Sequence, residues 1–188
     1  MGSRFERYLD YLDQLNDGVE PRFLPVDSTH DGLKGVTVIS YENLSDGLST
    51  AFTYGLSLAE HPNWIYGRPE LCISVQSDDD RWGLAVGLLA ERLRGSCPFS
   101  YGNTIGFGQP VTPESTMTTF MAFAPSILEP DDSQVDVSAP GHDGNDIIHL
   151  IGMYPIHATE QQFISKHGLE AFWKSDWDMY DTARPPAV

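Results

Sequence analysis

Cysteine is scarce in this chain. Cys72 and Cys97 are the only two in 188 residues, too few for a disulfide framework or a zinc ligand set. Long apolar runs are absent too: none reaches the roughly 18 residues of a membrane span, and the amphipathic, charged opening MGSRFERYLDYLDQLND lacks the apolar core of a signal peptide. A cytoplasmic protein is the expectation. Basic charge is the third deficit, with eleven Lys and Arg against 27 Asp and Glu, a net charge of −16. That balance argues against binding nucleic acid backbones or anionic membranes and favours a basic partner. The deficit is uneven, because no Lys or Arg occurs between Arg94 and Lys166, while Glu114, Glu129, Asp131, Asp132, Asp136, Asp143, Asp146 and Glu160 all fall there. Glu129 to Asp146 is therefore the candidate partner-binding surface. Its alternative is a merely well-solvated acidic surface.

Signatures of chemistry are also missing. Gly55-Leu56-Ser57-Leu58-Ala59 approaches a nucleophile elbow but lacks the second glycine, and His61-Pro62 follows where a helix is needed. The glycine-rich stretch Gly102 to Gly108 lacks the Lys-Ser/Thr of a phosphate loop. His142, Asp143, Asp146 and His149 fit neither an EF-hand nor a helical metal motif, and residues three apart on a strand face opposite sides. No cofactor is implied. Hydrolysis remains the alternative activity, and it requires Ser57, Cys72 or Cys97 to meet a histidine and an orienting carboxylate in space.

Folding signals, by contrast, are plentiful. Ile147, Ile148, Leu150, Ile151 and Met153 form a nearly continuous apolar strand, which suits a central position covered on both faces. Pro155 should end it. Thr159 is the expected cap of a helix, with Gln162 reaching back, and Gly168 should kink or break that helix. His157 and His167 read as surface or partly buried histidines. Near the start, Ser3 and Glu6 form a capping box, and Phe5, Tyr8, Leu9, Leu12 and Leu15 recur at helical spacing up to Asn16-Asp17-Gly18. Three strands are expected at Val36 to Tyr41, Thr50 to Ser57 and Leu71 to Gln76, and they could form a meander. A second helix from Trp82 to Leu93 follows the acids of Ser77 to Asp80. Beyond it, an irregular stretch holds at most a short strand near Ile105 to Phe107. A strand returns at Met117 to Phe123, and Asp131 to Asn145 reads as a turn or hairpin. With 40% apolar residues the chain can close one core. The expectation is one α+β domain over 1–188, core about 3–184, with a mixed, mainly antiparallel sheet packed with helices.

The order of motifs resembles the suppressor-of-fused domain in its stand-alone bacterial form. The resemblance is carried by Phe52-Thr53-Tyr54-Gly55-Leu56-Ser57, by Pro69-Glu70-Leu71, by Trp82 opening a helix, and by Ile148 to Ile156 with Gly152, Tyr154 and Pro155, together with Glu160, Gly168 and Arg184. It spans most of the chain. It implies the family's fold, mainly structural roles for those residues, and a non-enzymatic protein-binding module. Stand-alone bacterial relatives imply, more narrowly, an immunity protein that neutralises a basic toxin. The animal family member's role in restraining a transcription factor uses a further C-terminal domain for which this chain is too short.

Overall fold

The computed structural model describes residues 2–16, 18–42, 47–65 and 67–188. Helix α1 (Arg4–Leu15) starts at a complete capping box, in which Ser3 Oγ accepts from the Glu6 N–H and Glu6 accepts from the Ser3 N–H. Its end falls at Asn16, whose side-chain amide donates to the Leu12 carbonyl at 2.7 Å; Asp17 lies outside the described residues. The strands β1 (Arg22–Val26), β2 (Val36–Tyr41), β3 (Ser49–Tyr54) and β4 (Arg68–Val75) pair antiparallel in sequence order, so the meander is real and one strand longer than expected. Pro25 hides β1 from a sequence reading. In the structure β1 is an edge strand, where a residue without an N–H is tolerated.

Helix α2 (Arg81–Leu93) follows, then β5 (Thr104–Gly106), β6 (Thr119–Phe123), β7 (Gln134–Asp136) and β8 (Ile147–Ile156). The strands join in one sheet of order β1-β2-β3-β4-β8-β6-β5, with β7 also paired to β8. Every pairing is antiparallel except β4 with β8, which run parallel from Arg68↔Ile148 to Cys72↔Gly152. The architecture is thus a mixed, mostly antiparallel α+β sheet with β8 in its interior, paired on both sides. The expected turn at Asp131 to Asn145 is the hairpin carrying β7 into β8, preceded by a 3-10 turn at Pro130–Ser133.

Continuous apolar runs in β2 and β8 follow from helices on both faces. Alternate residues serve opposite sides: Val36, Val38, Ile151 and Met153 pack with Trp82, Val86 and Leu89 of α2, while Ile39, Tyr41, Ile148 and Leu150 pack with Tyr8 and Leu12 of α1. Beyond β8, helices α3 (Ala158–His167) and α4 (Leu169–Trp173) and the tail after them cover Met121, Tyr154 and Ile156. Gly83 and Gly87 let α2 lie close on the sheet. A Cβ at Gly87 would stand 2.5 Å from Val38 Cγ2.

Three local expectations need correcting. Pro155 does not end β8: it pairs with Phe120, and the strand runs one residue further. The β4 ladder stops at Gly152, so beyond it one side of β8 has no such partner to which Pro155 would have to donate. The helix cap is His157 rather than Thr159, and Glu160 rather than Gln162 reaches back, accepting from the His157 N–H at 2.8 Å. His157 is itself buried, not superficial. The expected strand to Ser57 stops at Tyr54, and Ser57 sits in a 3-10 turn at Leu56–Leu58. The break at Gly168 is as expected, with φ +88° separating α3 from α4.

Candidate functional site

Polar groups converge in three buried clasps. The first is built on Glu70, fully buried in β4 between Pro69 and Leu71. Its Oε1 accepts from the Gly55 N–H at 2.8 Å, the Ser57 N–H at 2.9 Å and the Ser57 hydroxyl at 2.6 Å, and its Oε2 accepts from Thr53 Oγ1 at 2.7 Å. Burial pushes the Glu70 carboxyl above the usual range, against the pull of those donors. Gly55 turns the chain there at φ +136°, a conformation other residues resist. Arg4 closes the clasp, donating to Ser57 Oγ at 2.8 Å and gripping Asp146 through Nε at 2.8 Å and Nη2 at 3.1 Å, with its guanidinium 5.5 Å from the Tyr54 ring centre.

This geometry bears on the hydrolase alternative. Ser57 Oγ meets a carboxylate and a guanidinium, and it is wholly buried. Cys72 is buried with its thiol pushed up to about 12, and burial also raises Cys97. Among the described residues none of the three is hydrogen-bonded to a histidine, so the nucleophile–histidine pair that alternative requires is not formed among them. No cluster of three or more His, Cys, Asp or Glu that could hold a metal occurs among the described residues, and no described helix is long and apolar enough to cross a membrane.

The second clasp joins Glu160 to Arg184 across α3 and the C-terminal tail. Both side chains are buried; Arg184 donates to both Glu160 oxygens, the Ala187 N–H adds a bond at 2.9 Å, and the guanidinium lies 5.0 Å from the Trp177 ring centre. Burial opposes ionisation of Glu160, but these donors outweigh it and hold its pKa below the ordinary value. The His157 ring reaches the Arg184 carbonyl through Nε2 at 3.0 Å. The third clasp pairs buried Glu91 and Arg94 at 3.0 Å. Arg94 donates to the Lys34 carbonyl and Ser28 Oγ, and Glu91 accepts from the Thr29 N–H, so the 28–34 loop is pinned to the end of α2. Arg4, Glu91 and Arg94 carry no motif that marks them in the sequence. Their only signal was a charge on an otherwise apolar face.

The acidic surface divides in two. Asp136 caps its own hairpin, accepting from the Ser138 and Gly144 N–H groups, which lowers its pKa, and Asp146 is paired with Arg4. Glu129, Asp131, Asp132 and Asp143 are exposed and make no ion pair among the described residues. Tyr11 of α1 donates to the Asp132 carbonyl and Arg7 to the Val137 carbonyl at 2.9 Å, so this hairpin is tied to α1.

Next to the hairpin tip lie two adjoining clefts. One, of about 240 Å³, is lined by Trp64, Ile65, Tyr101, His149 and Ile151 among others. A neighbour of about 570 Å³ shares Trp64, Ile65 and Gly67 with it and is lined also by Arg68 and by Gly144 to Ile147. Ile65 is 72% exposed and Tyr101 44%. His149, whose pKa burial lowers, meets the Tyr101 hydroxyl through Nε2 at 3.2 Å.

The model of the suppressor of fused protein (SUFU) family matches residues 31–185. The chain belongs to the suppressor of fused family. No curated protein matches it. Among solved structures, a protein described as a SUFU homologue from Neisseria gonorrhoeae FA 1090 shares the fold at a TM-score of 0.72 with 18% identity, over 97% of this chain and 96% of that one. A structure of a Sufu–Fu complex matches at 0.66 with 11% identity, over 97% and 91%. Drosophila Suppressor of Fused matches at 0.64 with 12% identity, over 97% of this chain but 51% of that one. At such identities these likenesses show the fold alone. In this SUFU-family chain the motif residues touch one another or the core: Leu56 is fully buried, Trp82 packs edge-on to Phe120, and the Tyr154 hydroxyl donates to the Ala124 carbonyl at 2.6 Å. Gly152 lets that same segment approach, since a Cβ there would stand 3.0 Å from Pro125 Cα.

Proposed function

We propose that this SUFU-family chain is a non-enzymatic protein-binding module with a basic partner, acting in the cytoplasm as an immunity protein against a basic toxin. The observation that carries the reading is the set of exposed, unpaired acids Glu129, Asp131, Asp132 and Asp143 on a stretch without Lys or Arg, in a chain of net charge −16. A toxin that holds phosphate is basic, so such a surface steers it into encounter and covers the groups it needs. The solved complex of a structural relative with Fu supports a binding role by analogy of fold.

Affinity capture from native cells supplies the partner, and its association is then timed at low and high salt. The variant Glu129→Gln/Asp131→Asn/Asp132→Asn/Asp143→Asn should associate about tenfold more slowly at low salt and lose most of its salt dependence, with dissociation little changed. Equal on-rates for variant and wild type at both salt concentrations refute the electrostatic reading.

A further inference from the structure

We propose that the carboxyl ends of β4 and β8 form an arginine-reading peptide site, which residues 178–187 occupy in cis and from which an extended, arginine-bearing segment of the partner displaces them. The inference rests on the basic-partner reading above and gives that partner a recognition element.

The site lies where the parallel seam opens. The β4–β8 ladder ends at Cys72 and Gly152, after which β4 continues with β3 to Val75 and β8 continues with β6 to Ile156. The crevice beyond the carboxyl ends of parallel strands is where open α/β sheets receive ligands, and this seam reproduces that arrangement locally. Residues 178–187 span it. The Gln76 N–H, just past β4, donates to the Tyr180 carbonyl at 2.9 Å, and His157, just past β8, meets the Arg184 carbonyl at 3.0 Å. Met179 and Ala187 pack into the cluster of Tyr154 and Ile156.

The resident shows what the site reads: two backbone carbonyls and one side chain. The buried Glu160 carboxylate takes the Arg184 guanidinium on both oxygens and is itself held by the His157 N–H, while the same guanidinium lies against the Trp177 ring. Such a fork matches a planar cation, and a lysine cannot reproduce it. The resident is also lightly held. It contains no helix or strand, and among the described residues one backbone–backbone hydrogen bond ties it to the sheet. Arg184 Nε is buried without an acceptor among the described residues, so a segment that carries an acceptor beside its arginine is better satisfied there than the resident. Glu160 and Trp177 precede the stretch and stay in place when it leaves.

The probe is the resident sequence itself, a fluorescein-labelled peptide Asp-Met-Tyr-Asp-Thr-Ala-Arg-Pro-Pro-Ala, titrated onto the full chain and read by anisotropy. Arg184→Gln should bind it at least about tenfold more tightly than wild type, where the cis segment competes at high effective concentration. Lys or Gln in place of the peptide's arginine should weaken binding about tenfold, and Glu160→Gln/Arg184→Gln should abolish it. Adding Glu129→Gln/Asp131→Asn/Asp132→Asn/Asp143→Asn to Arg184→Gln should leave peptide binding unchanged, since none of those acids touches the site. Loss of binding in that variant moves recognition to the hairpin and overturns the site, with the basic-partner reading intact. Equal binding of the Arg and Gln peptides, or no binding by a folded Arg184→Gln chain, also overturns the site; the basic-partner reading falls only if association rates ignore those four acids. Hydrogen exchange in the wild type does not depend on the variant folding. The Gln76 and Ala187 amides, both bonded through the stretch, should exchange at least about tenfold faster than the amides of the β8 ladder, because the stretch opens without global unfolding. Exchange at the rate of that ladder overturns the proposal.

Discussion

Arg184→Ala should cost about 3 kcal/mol of stability. The guanidinium is buried at 7% exposure against a fully buried Glu160, and breaking a buried pair by removing one partner typically costs about 3–5 kcal/mol because the other charge stays behind without compensation. The lower end applies here. Glu160 keeps the His157 and Ala187 N–H donors, which leave its charge partly compensated. The cation–π contact to Trp177 adds a smaller loss, about 0.5–1 kcal/mol. Replacing both partners, as Glu160→Met/Arg184→Met, removes the stranded charge and should recover more than half of the loss. Urea unfolding followed by tryptophan fluorescence is suited to the measurement, since Trp173 and Trp177 lie in the affected cluster. A loss below about 1 kcal/mol for the single variant, or a double variant no more stable than the single one, shows that the clasp does not hold the tail.

Two further outcomes follow from the packing and the buried carboxylates. Gly87→Ala, which improves helix propensity by about 1 kcal/mol, should nevertheless destabilise by about 1–3 kcal/mol, because the new methyl overlaps Val38; a Tm equal to or above that of wild type contradicts the close approach of α2. Glu91 and Glu160 both have folded pKa values below the ordinary carboxylate range, so the stability they contribute is complete above that range and is lost as pH falls through their folded values. Glu70, raised by burial, has the opposite sign, its ionisation opposing folding as pH rises through its folded pKa. Urea midpoints measured from neutral to acid pH should therefore fall on acidification for wild type and less steeply for Glu160→Met/Arg184→Met; identical slopes refute the assignment.

Much of the fold was legible because its local signals agree. The Ser3–Glu6 box, the two-sided apolar run of Ile147 to Met153 and the glycine at 168 each have one short-range physical meaning, and the structure honours all three. Where reading failed, a distant contact decided. Pro155 reads locally as a stop, because a sequence does not show that the β4 ladder ends at Gly152. Thr159 is the better intrinsic cap than His157, yet His157 holds the place because its ring is fixed from outside, by Thr116 and the Arg184 carbonyl. The proposed acidic surface was half visible: composition marks the acids, but nothing local shows that Arg4 pairs with Asp146.

The parallel seam between β4 and β8 has a consequence for the chain during its synthesis. The strands β1 to β4 can pair as they emerge, but the second edge of β4, from Arg68 to Cys72, has no partner until β8 appears about seventy residues later. At a ribosomal rate of about 5–20 residues per second, that apolar edge waits on the order of 4–14 seconds with its hydrogen-bonding groups open. An open, apolar strand edge is a template for pairing with other chains. The nascent protein therefore passes through a stretch of seconds in which its aggregation is decided by α2, made directly after β4, and by whatever chaperone reaches that edge first.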